Sequence, residues 1–419
     1  MKKIINARIW TGKRAIENSA VAIDKQKIVY VGAQEGAPDA GSSIDAKGGI
    51  VMPALYNAHA HSAMTILRGV GSDLKLMDWL NKVMPIEDGL TEEDVYWGTV
   101  LACAEQMRRG CVAFADMYYF MDEVARAALD AGIRANISRG CTNEHGADSV
   151  YGLYERWHGK GSGRINVYMG VHAEYTTKPD FVQYAVRVAG ELKTGFHVHV
   201  AESVDETKGC IERHGVTPVE YFRRLGAYEN PTLAAHCVQV MDEDIRILAE
   251  HRVSVATNPA SNLKLANGVA PISKMREAGV RVALGTDGAS SNNTLDMFAD
   301  MRLMSLLQKG MLRDATALNA ADAISIATRE GALALGFGDC GLLEEGMRAD
   351  LILLDASAEN LQPYDADLPA TIVYAAQGQN VRMTMCDGEI VYMDGIYTKL
   401  DIEEACRRVN QTKKRLLPC

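Results

Sequence analysis

The chain has no surplus of positive charge: 44 Lys and Arg stand against 54 Asp and Glu, for a net charge of -10. That balance excludes a non-specific nucleic-acid binder, whose affinity rests on phosphate-neutralising cations. It excludes a polybasic membrane anchor for the same reason. No uncharged run approaches the roughly 20 residues of a membrane-spanning helix. The opening MKKIINARIW has a basic pair, but Asn6 and Arg8 interrupt any apolar stretch, so no signal peptide is expected. None of the nine cysteines forms a CxxC pair, and their odd number and irregular spacing read as buried thiols of a reducing cytoplasm. Low-complexity tracts and repeats with a period of roughly 20–50 residues are also missing. The GKGSG run at 159–163 lies between a helix and a strand, the wrong order for a dinucleotide fingerprint. A cytoplasmic protein with neither nucleic acid nor membrane as partner is expected.

What is present is ordinary globular composition, 47% apolar and 23% charged, over 419 residues. A prior of about 150 residues per domain suggests two or three units, and such a length buries a large core without staples. The first 50 residues alternate β-like runs with turns: KKIINARIW, SAVAIDKQKIVYVG and SSIDAKGGIVMP. The far end does the same in ADLILLD, ATIVYAA and VRMTMCDGEIVYMDGIY, before a helical tail, DIEEACRRVNQTKKRLL. Residues 1–52 and 341–419 are therefore expected to pair into one small β-sandwich domain, with 53–340 as a long insertion.

Inside that insertion, short Val/Ile/Ala-rich runs alternate with amphipathic helices. The first, LTEEDVYWGTVLACAEQMRRG, opens with Thr91 as N-cap and acids in its first turn. The strands end in NAHAH, CVAFADM, IRANISRG, RINVYMGVH, FHVHVAES, TLAAHCV, RVSVATN and VRVALGTDG. Eight βα repeats in nearly 290 residues fit an α/β fold of (β/α)8 TIM-barrel type better than a doubly wound sheet.

Active sites of such barrels lie at the C-terminal ends of the strands, where the histidines gather. Strand one ends in His59-Ala60-His61, strand four in His172, strand five in His199 and Glu202, strand six in His236 and strand eight in Asp287. His59 and His61 are two apart, so their side chains share a face and supply half a site for Zn or Fe. His197 and His199 also share a face; His199 lies nearer the rim and is the favoured ligand, with His197 in a lower layer of the barrel. Asp287 suits a carboxylate ligand that accepts a proton from a metal-activated water, although Asp before Gly also suits a helix N-cap. Glu202, three residues after His199, suits a general acid/base that carries a proton to a ring nitrogen. His236 fits either a ligand or a hydrogen-bond partner of the attacking hydroxide. Strand four, NVYMGVHAEY, has no lysine before Lys178 to bridge two ions, so a single divalent metal per chain is expected.

Together VMPALYNAHAH, HVHVAES, AAHC, NPASNLKL, LGTDGASSNN and GLLEEGMRADLILLD resemble the amidohydrolase superfamily along nearly the whole chain. HSAMTILRG, DWLNKVMPIED and LGTDGASSNN are most similar to its 5'-methylthioadenosine/S-adenosylhomocysteine deaminases, which turn adenosine-like nucleosides into inosine analogues and ammonia. The resemblance implies His59, His61, His199 and Asp287 as ligands of Zn2+, with Fe2+ the alternative, Glu202 as the group protonating purine N1, and His236 as the holder of the hydroxide. It implies His172 against the purine, Trp79 flanking the nucleoside, Arg139 at the substrate tail, and a homo-oligomer. By position alone Glu87 reads as a solvated acid; the resemblance makes it the acceptor of the ribose diol. After Arg139 the chain reads GCTNEHGADSVYGLYERWHG, without a clear second arginine for a homocysteine carboxylate; Arg156 is the nearest. The loop offers Asn143, Glu144 and His145 instead. That departure points towards methylthioadenosine, 5'-deoxyadenosine or adenosine rather than S-adenosylhomocysteine. Deamination of another heterocycle (guanine-, cytosine- or triazine-like) is the alternative. A barrel that had lost catalysis would lack these ligands.

Overall fold

The computed structural model describes residues 1–417. The chain first lays down β1 (Lys2–Trp10), β2 (Ala15–Asp24), β3 (Lys27–Ala33), β4 (Ser42–Asp45) and β5 (Ile50–Pro53). It then passes into a parallel sheet made of β6 (Leu55–Ala60), β7 (Cys111–Tyr118), β8 (Arg134–Arg139), β9 (Ile165–Val171), β10 (Phe196–Val200), β11 (Thr232–His236), β12 (Ser254–Thr257) and β13 (Arg281–Leu284). These eight strands follow one another in order, each hydrogen-bonded to the next, with helices between them: the expected TIM barrel. They are buried almost throughout, which is why they read as continuous apolar runs rather than alternating ones.

The ring closes between β13 and β6. The Asp287 N–H donates to the His59 carbonyl (2.9 Å), and the Thr286 N–H donates to Asn57 Oδ1 (2.9 Å). Gly285 makes this approach possible, because a Cβ there would lie 2.8 Å from His59 N and 2.3 Å from Asn258 Oδ1. The closure therefore places two of the expected site residues side by side.

The chain returns through β14 (Leu351–Leu354), β15 (Val381–Cys386), β16 (Glu389–Met393) and β17 (Ile396–Tyr397). β14 pairs antiparallel with β5, Leu351 opposite Pro53 and Leu354 opposite Ile50, so the two ends share one nine-stranded mixed sheet. Alternation sorts its side chains: Leu351 and Leu353 join Ile4, Val21 and Met383 in the sheet's own core, while Ile352 and Leu354 face the barrel core. A buried ionic network ties the two parts together. Arg134, 1% exposed, donates to Asp350 (Nε–Oδ2 2.8 Å) and to Asp387, while Tyr56 Oη donates to Asp350 (2.6 Å) and Arg164 Nε to Asp387 (2.8 Å). Burial favours a neutral Asp350, but the Arg134 guanidinium holds its carboxyl down at about 2.

One expected β segment is helical. ATIVYAA belongs to a short helical stretch, Leu368–Ala370 continuing as a π-helical turn over Thr371–Ala375. Asp367 caps it by accepting from the Ala370 N–H (3.2 Å), and Pro369 sits in the first turn, where its missing N–H costs nothing. The helices that shape the site are α1 (Leu76–Glu87), α2 (Glu92–Arg108), α3 (Met121–Ala131) and α4 (Glu144–Trp157). α2 starts at Thr91 as expected, with Asp94 completing a reciprocal capping box.

Candidate active site and metal centre

Five strand ends bring the expected residues to one rim. His59 Nε2 lies 3.5 Å and His61 Nε2 3.2 Å from Asp287 Oδ1. The donor atoms of His59, His61 and Asp287 all lie within 4.8 Å of one another, and so do those of His59, His199 and His236. Donors held about 2.0–2.2 Å from one zinc ion stand roughly 3.3–3.6 Å apart, so the His–Asp spacings are close to those of a shared ion. The two groupings have His59 in common, so among the described residues they form one centre, not two. The backbone is strained here: His236 has φ 75° and Asp287 φ 62°, left-handed values that such residues adopt where the surroundings enforce them.

Each imidazole is oriented by its second nitrogen, as ligating histidines are. His61 Nδ1 donates to the Met117 carbonyl (2.6 Å), His199 Nδ1 to the His172 carbonyl (2.7 Å) and His236 Nδ1 to Asn262 Oδ1 (2.8 Å). His59 heads a longer chain. Its Nδ1 meets His197 Nε2 (3.0 Å), His197 Nδ1 meets Ser138 Oγ (2.9 Å), and the Ser138 hydroxyl donates to the Asp116 carbonyl (2.9 Å). With that last bond fixing the direction, His59 donates through Nδ1 and turns an Nε2 lone pair inward. That Nε2 is buried without any hydrogen-bond partner, its lone pair open to a cation. His197 thus sits in the lower layer, behind His59. Burial lowers His59 to about 3 and keeps it neutral, the form that binds metals. Burial opposes a charge on His61 too, but the Asp287 carboxylate beside it raises it to about 9, and a divalent ion would displace that proton. Ser261 and Ser291 hydroxyls donate to Asp287 Oδ2 (2.6 and 3.0 Å), leaving Oδ1 for the centre.

A cavity opens directly over these groups, and Trp79, Glu87, His172 and Glu202 line it. Glu202 accepts from Asn267 Nδ2 at Oε1 (2.9 Å), and its Oε2 lies 3.7 Å from His236 Nε2. Burial, reinforced by the Asp287 charge, pushes its carboxyl up to about 8. His172 gives its Nδ1 to Thr176 Oγ1 (2.9 Å). Trp79, on α1, donates Nε1 to Ser290 Oγ (3.2 Å), which fixes the indole against the cavity. Glu87 closes α1 and is only 6% exposed, because that helix folds over the cavity mouth. Burial raises its carboxyl to about 7, and Tyr118 Oη is its hydrogen-bond donor.

Arg139 does not line this cavity. It lies in an adjoining recess that shares Glu87 and Tyr119 with it and also holds Arg156. Arg139 donates to Ser149 Oγ (2.9 Å), whereas the Arg156 fork is taken by Asp122 (2.6 and 2.9 Å). Of the three loop residues left without a role, Asn143 is the N-cap of α4, accepting from the Gly146 N–H (2.9 Å), and Glu144 and His145 are exposed. Sequence reasoning did not single out Tyr118, Asn267, Ser261 or Ser291; Ser291 follows Asp287 by four residues, whereas the other three reach their partners from distant parts of the chain.

Inward-facing imidazoles and a carboxylate at the C-terminal rim of a barrel, with a buried glutamate beside them, define a metal-dependent barrel hydrolase. The chain belongs to the amidohydrolase family, whose family model matches residues 50–391. It is 43% identical over 406 residues to a 5-methylthioadenosine/S-adenosylhomocysteine deaminase of Moorella thermoacetica, covering 94% of this chain and 95% of that one. Among solved structures, it is similar to an adenosine deaminase from Xanthomonas campestris with bound zinc, at TM-score 0.95 and 31% identity over 99% and 98% of the two chains. The likeness to atrazine chlorohydrolase TrzN from Arthrobacter aurescens, TM-score 0.92 at 22% identity over 99% and 100%, is one of fold. No helix among the described residues is long and apolar enough to cross a membrane.

Proposed function

We propose that this protein hydrolyses the 6-amino group of adenosine-type nucleosides, consuming water and releasing ammonia and the inosine analogue. In this reading one divalent ion, Zn2+ in first place and Fe2+ as the alternative, is held by His59, His61, His199 and Asp287. The observation that carries it is the unsatisfied inward Nε2 of His59 among ring nitrogens whose other sides are all engaged, with Glu87 on the wall of the same cavity. When bound, a divalent ion makes a water nucleophilic at neutral pH.

The chain's own groups do the rest. His236, locked by Asn262, presents Nε2 to orient the attacking water. Glu202, held at Oε1 by Asn267, takes a proton from that water and delivers it to purine N1 as C6 becomes tetrahedral. The second proton of that water, accepted by Asp287, passes to the amino group, and the C6–N bond breaks to release ammonia. His172 and Trp79 hold the purine. Glu87, a buried carboxylate whose donor is the neutral Tyr118 hydroxyl, has acceptor capacity for two vicinal hydroxyls.

Two outcomes check the substrate. Glu87→Ala is expected to raise KM for adenosine about 10- to 100-fold, with a much smaller change in kcat, because hydrogen bonds to a charged group are worth about 1.5–3 kcal/mol each. An unchanged KM for the best substrate would favour a free base without a ribose. Arg156 is engaged by Asp122, so an anionic tail meets one available guanidinium, Arg139. Steady-state assays on adenosine, 5'-deoxyadenosine, methylthioadenosine and S-adenosylhomocysteine should therefore give the last the lowest kcat/KM, by about tenfold, the worth of one charge-assisted bond. A higher efficiency on S-adenosylhomocysteine than on the neutral nucleosides would contradict this preference.

A further inference from the structure

Of the buried acids the mechanism above leaves unused, Glu206 is the one bonded to the backbone of Glu202. Glu206, 5% exposed, lies in the first turn of the helix Val204–His214, whose N-cap is Ser203. In an ordinary capping box the glutamate at this position would reach back to the N-cap N–H. Here it reaches further. Its Oε1 accepts from the Ala201 N–H (2.9 Å) and its Oε2 from the Glu202 N–H (2.7 Å). Those two peptide groups join Val200, the neighbour of His199, to Glu202, and Ala201 has φ 50°, a left-handed conformation unfavourable for alanine.

The same peptide is held from its other side. The Ala201 carbonyl accepts from the N–H groups of Val238 (3.0 Å) and Gln239 (2.8 Å), just after His236. Gln239 Nε2 in turn donates to the carbonyl of Asn267 (2.5 Å), the residue whose side chain holds the Glu202 carboxylate. The chain turns sharply between β10 and the following helix, and the turn aims Glu202 back over the rim. Nothing in local propensity favours that turn, so the contacts around it must maintain it.

We propose that Glu206 is a positioning residue: its carboxylate clamps the Ala201–Glu202 backbone in a left-handed turn and so fixes the reach of Glu202 towards the substrate ring nitrogen. The clamp makes no contact with the nucleoside and acts through Glu202. This inference rests on Glu202 being the proton carrier.

Glu206→Gln keeps the volume but turns one acceptor into an NH2 that confronts a backbone N–H. On adenosine, the variant is expected to lose about 10- to 100-fold in kcat, with KM and the inhibition constant of inosine within about twofold of the parent, as for a group that acts only in the transition state. Metal content, measured on the same sample, should match the parent, and the acid limb of the kcat–pH profile should move. Ala201→Gly in the Glu206→Gln background relieves the left-handed strain and should recover part of the lost kcat. Full kcat in Glu206→Gln overturns the proposal. So does a parallel loss of kcat, inosine affinity and metal, which would make Glu206 only a structural cap. Glu202→Gln is run beside it: if that variant keeps full kcat, the reading of Glu202 itself has failed, whereas an inactive Glu202→Gln with an unaffected Glu206→Gln rejects the clamp alone.

Discussion

Exchange of Glu202 for glutamine is expected to lower kcat on adenosine by about 10³-fold, within the roughly 10²–10⁴-fold that a positioned acid/base contributes. Glutamine keeps the Asn267 contact and nearly the same shape, but it cannot carry a proton from water to the ring. Because Glu202 stands beside the donor set rather than in it, metal content should be unchanged and KM should move little. Its place explains why a glutamate is suited to this work. The side chain is 4% exposed, and burial together with Asp287 pushes its carboxyl up to about 8. A carboxyl so raised is basic enough to take a proton from an activated water and to keep it for the ring nitrogen rather than lose it to bulk water at neutral pH. Stopped assays on metal-quantified protein check this directly, and retention of more than about a tenth of the parent kcat would remove Glu202 from the proton path.

Replacement of Asp287 by alanine is expected to do more. Both His59 and His61 face its Oδ1, and Ser261 and Ser291 donate to its Oδ2, so the substitution removes the single negative charge that pairs with a cation here. Metal bound per chain should fall from about one towards zero, and kcat by on the order of 10⁴-fold or more, because activation of water is lost with the ion. Two ions per parent chain would contradict the single centre inferred from the shared His59. A parent-like metal content in the alanine variant would place the ligands elsewhere.

The barrel strands were legible because buried parallel strands leave an uninterrupted apolar run that stops at a polar residue, and several of those stops gather at one rim. The pair His59 and His61 was legible from the two-residue period of a strand alone. ATIVYAA was misread, since a short apolar run does not distinguish strand from helix; Asp367 and Pro369, the capping signals just before it, decide the matter. Glu87 could be assigned only by resemblance, because its burial comes from α1 folding over the cavity mouth. The partners that orient the site were illegible for a different reason. Asn267 reaches Glu202, Tyr118 reaches Glu87 and Ser138 reaches His197 from other elements of the barrel, through contacts that leave no periodic trace in the chain. Glu206 is the intermediate case: its spacing from Ser203 signals a cap, but only the structure shows the two peptide groups it holds.

The central claim is that a divalent ion in this donor set and Glu202 together deaminate a nucleoside. The most direct measurement is the ultraviolet spectrum of adenosine incubated with the metal-loaded protein, with the chelated protein, and with the chelated protein given back Zn2+. The account predicts conversion to the inosine spectrum with release of ammonia in the first sample, none in the second, and recovery in the third. An unchanged adenosine spectrum with fully metal-loaded protein, and with 5'-deoxyadenosine and methylthioadenosine as well, would contradict it.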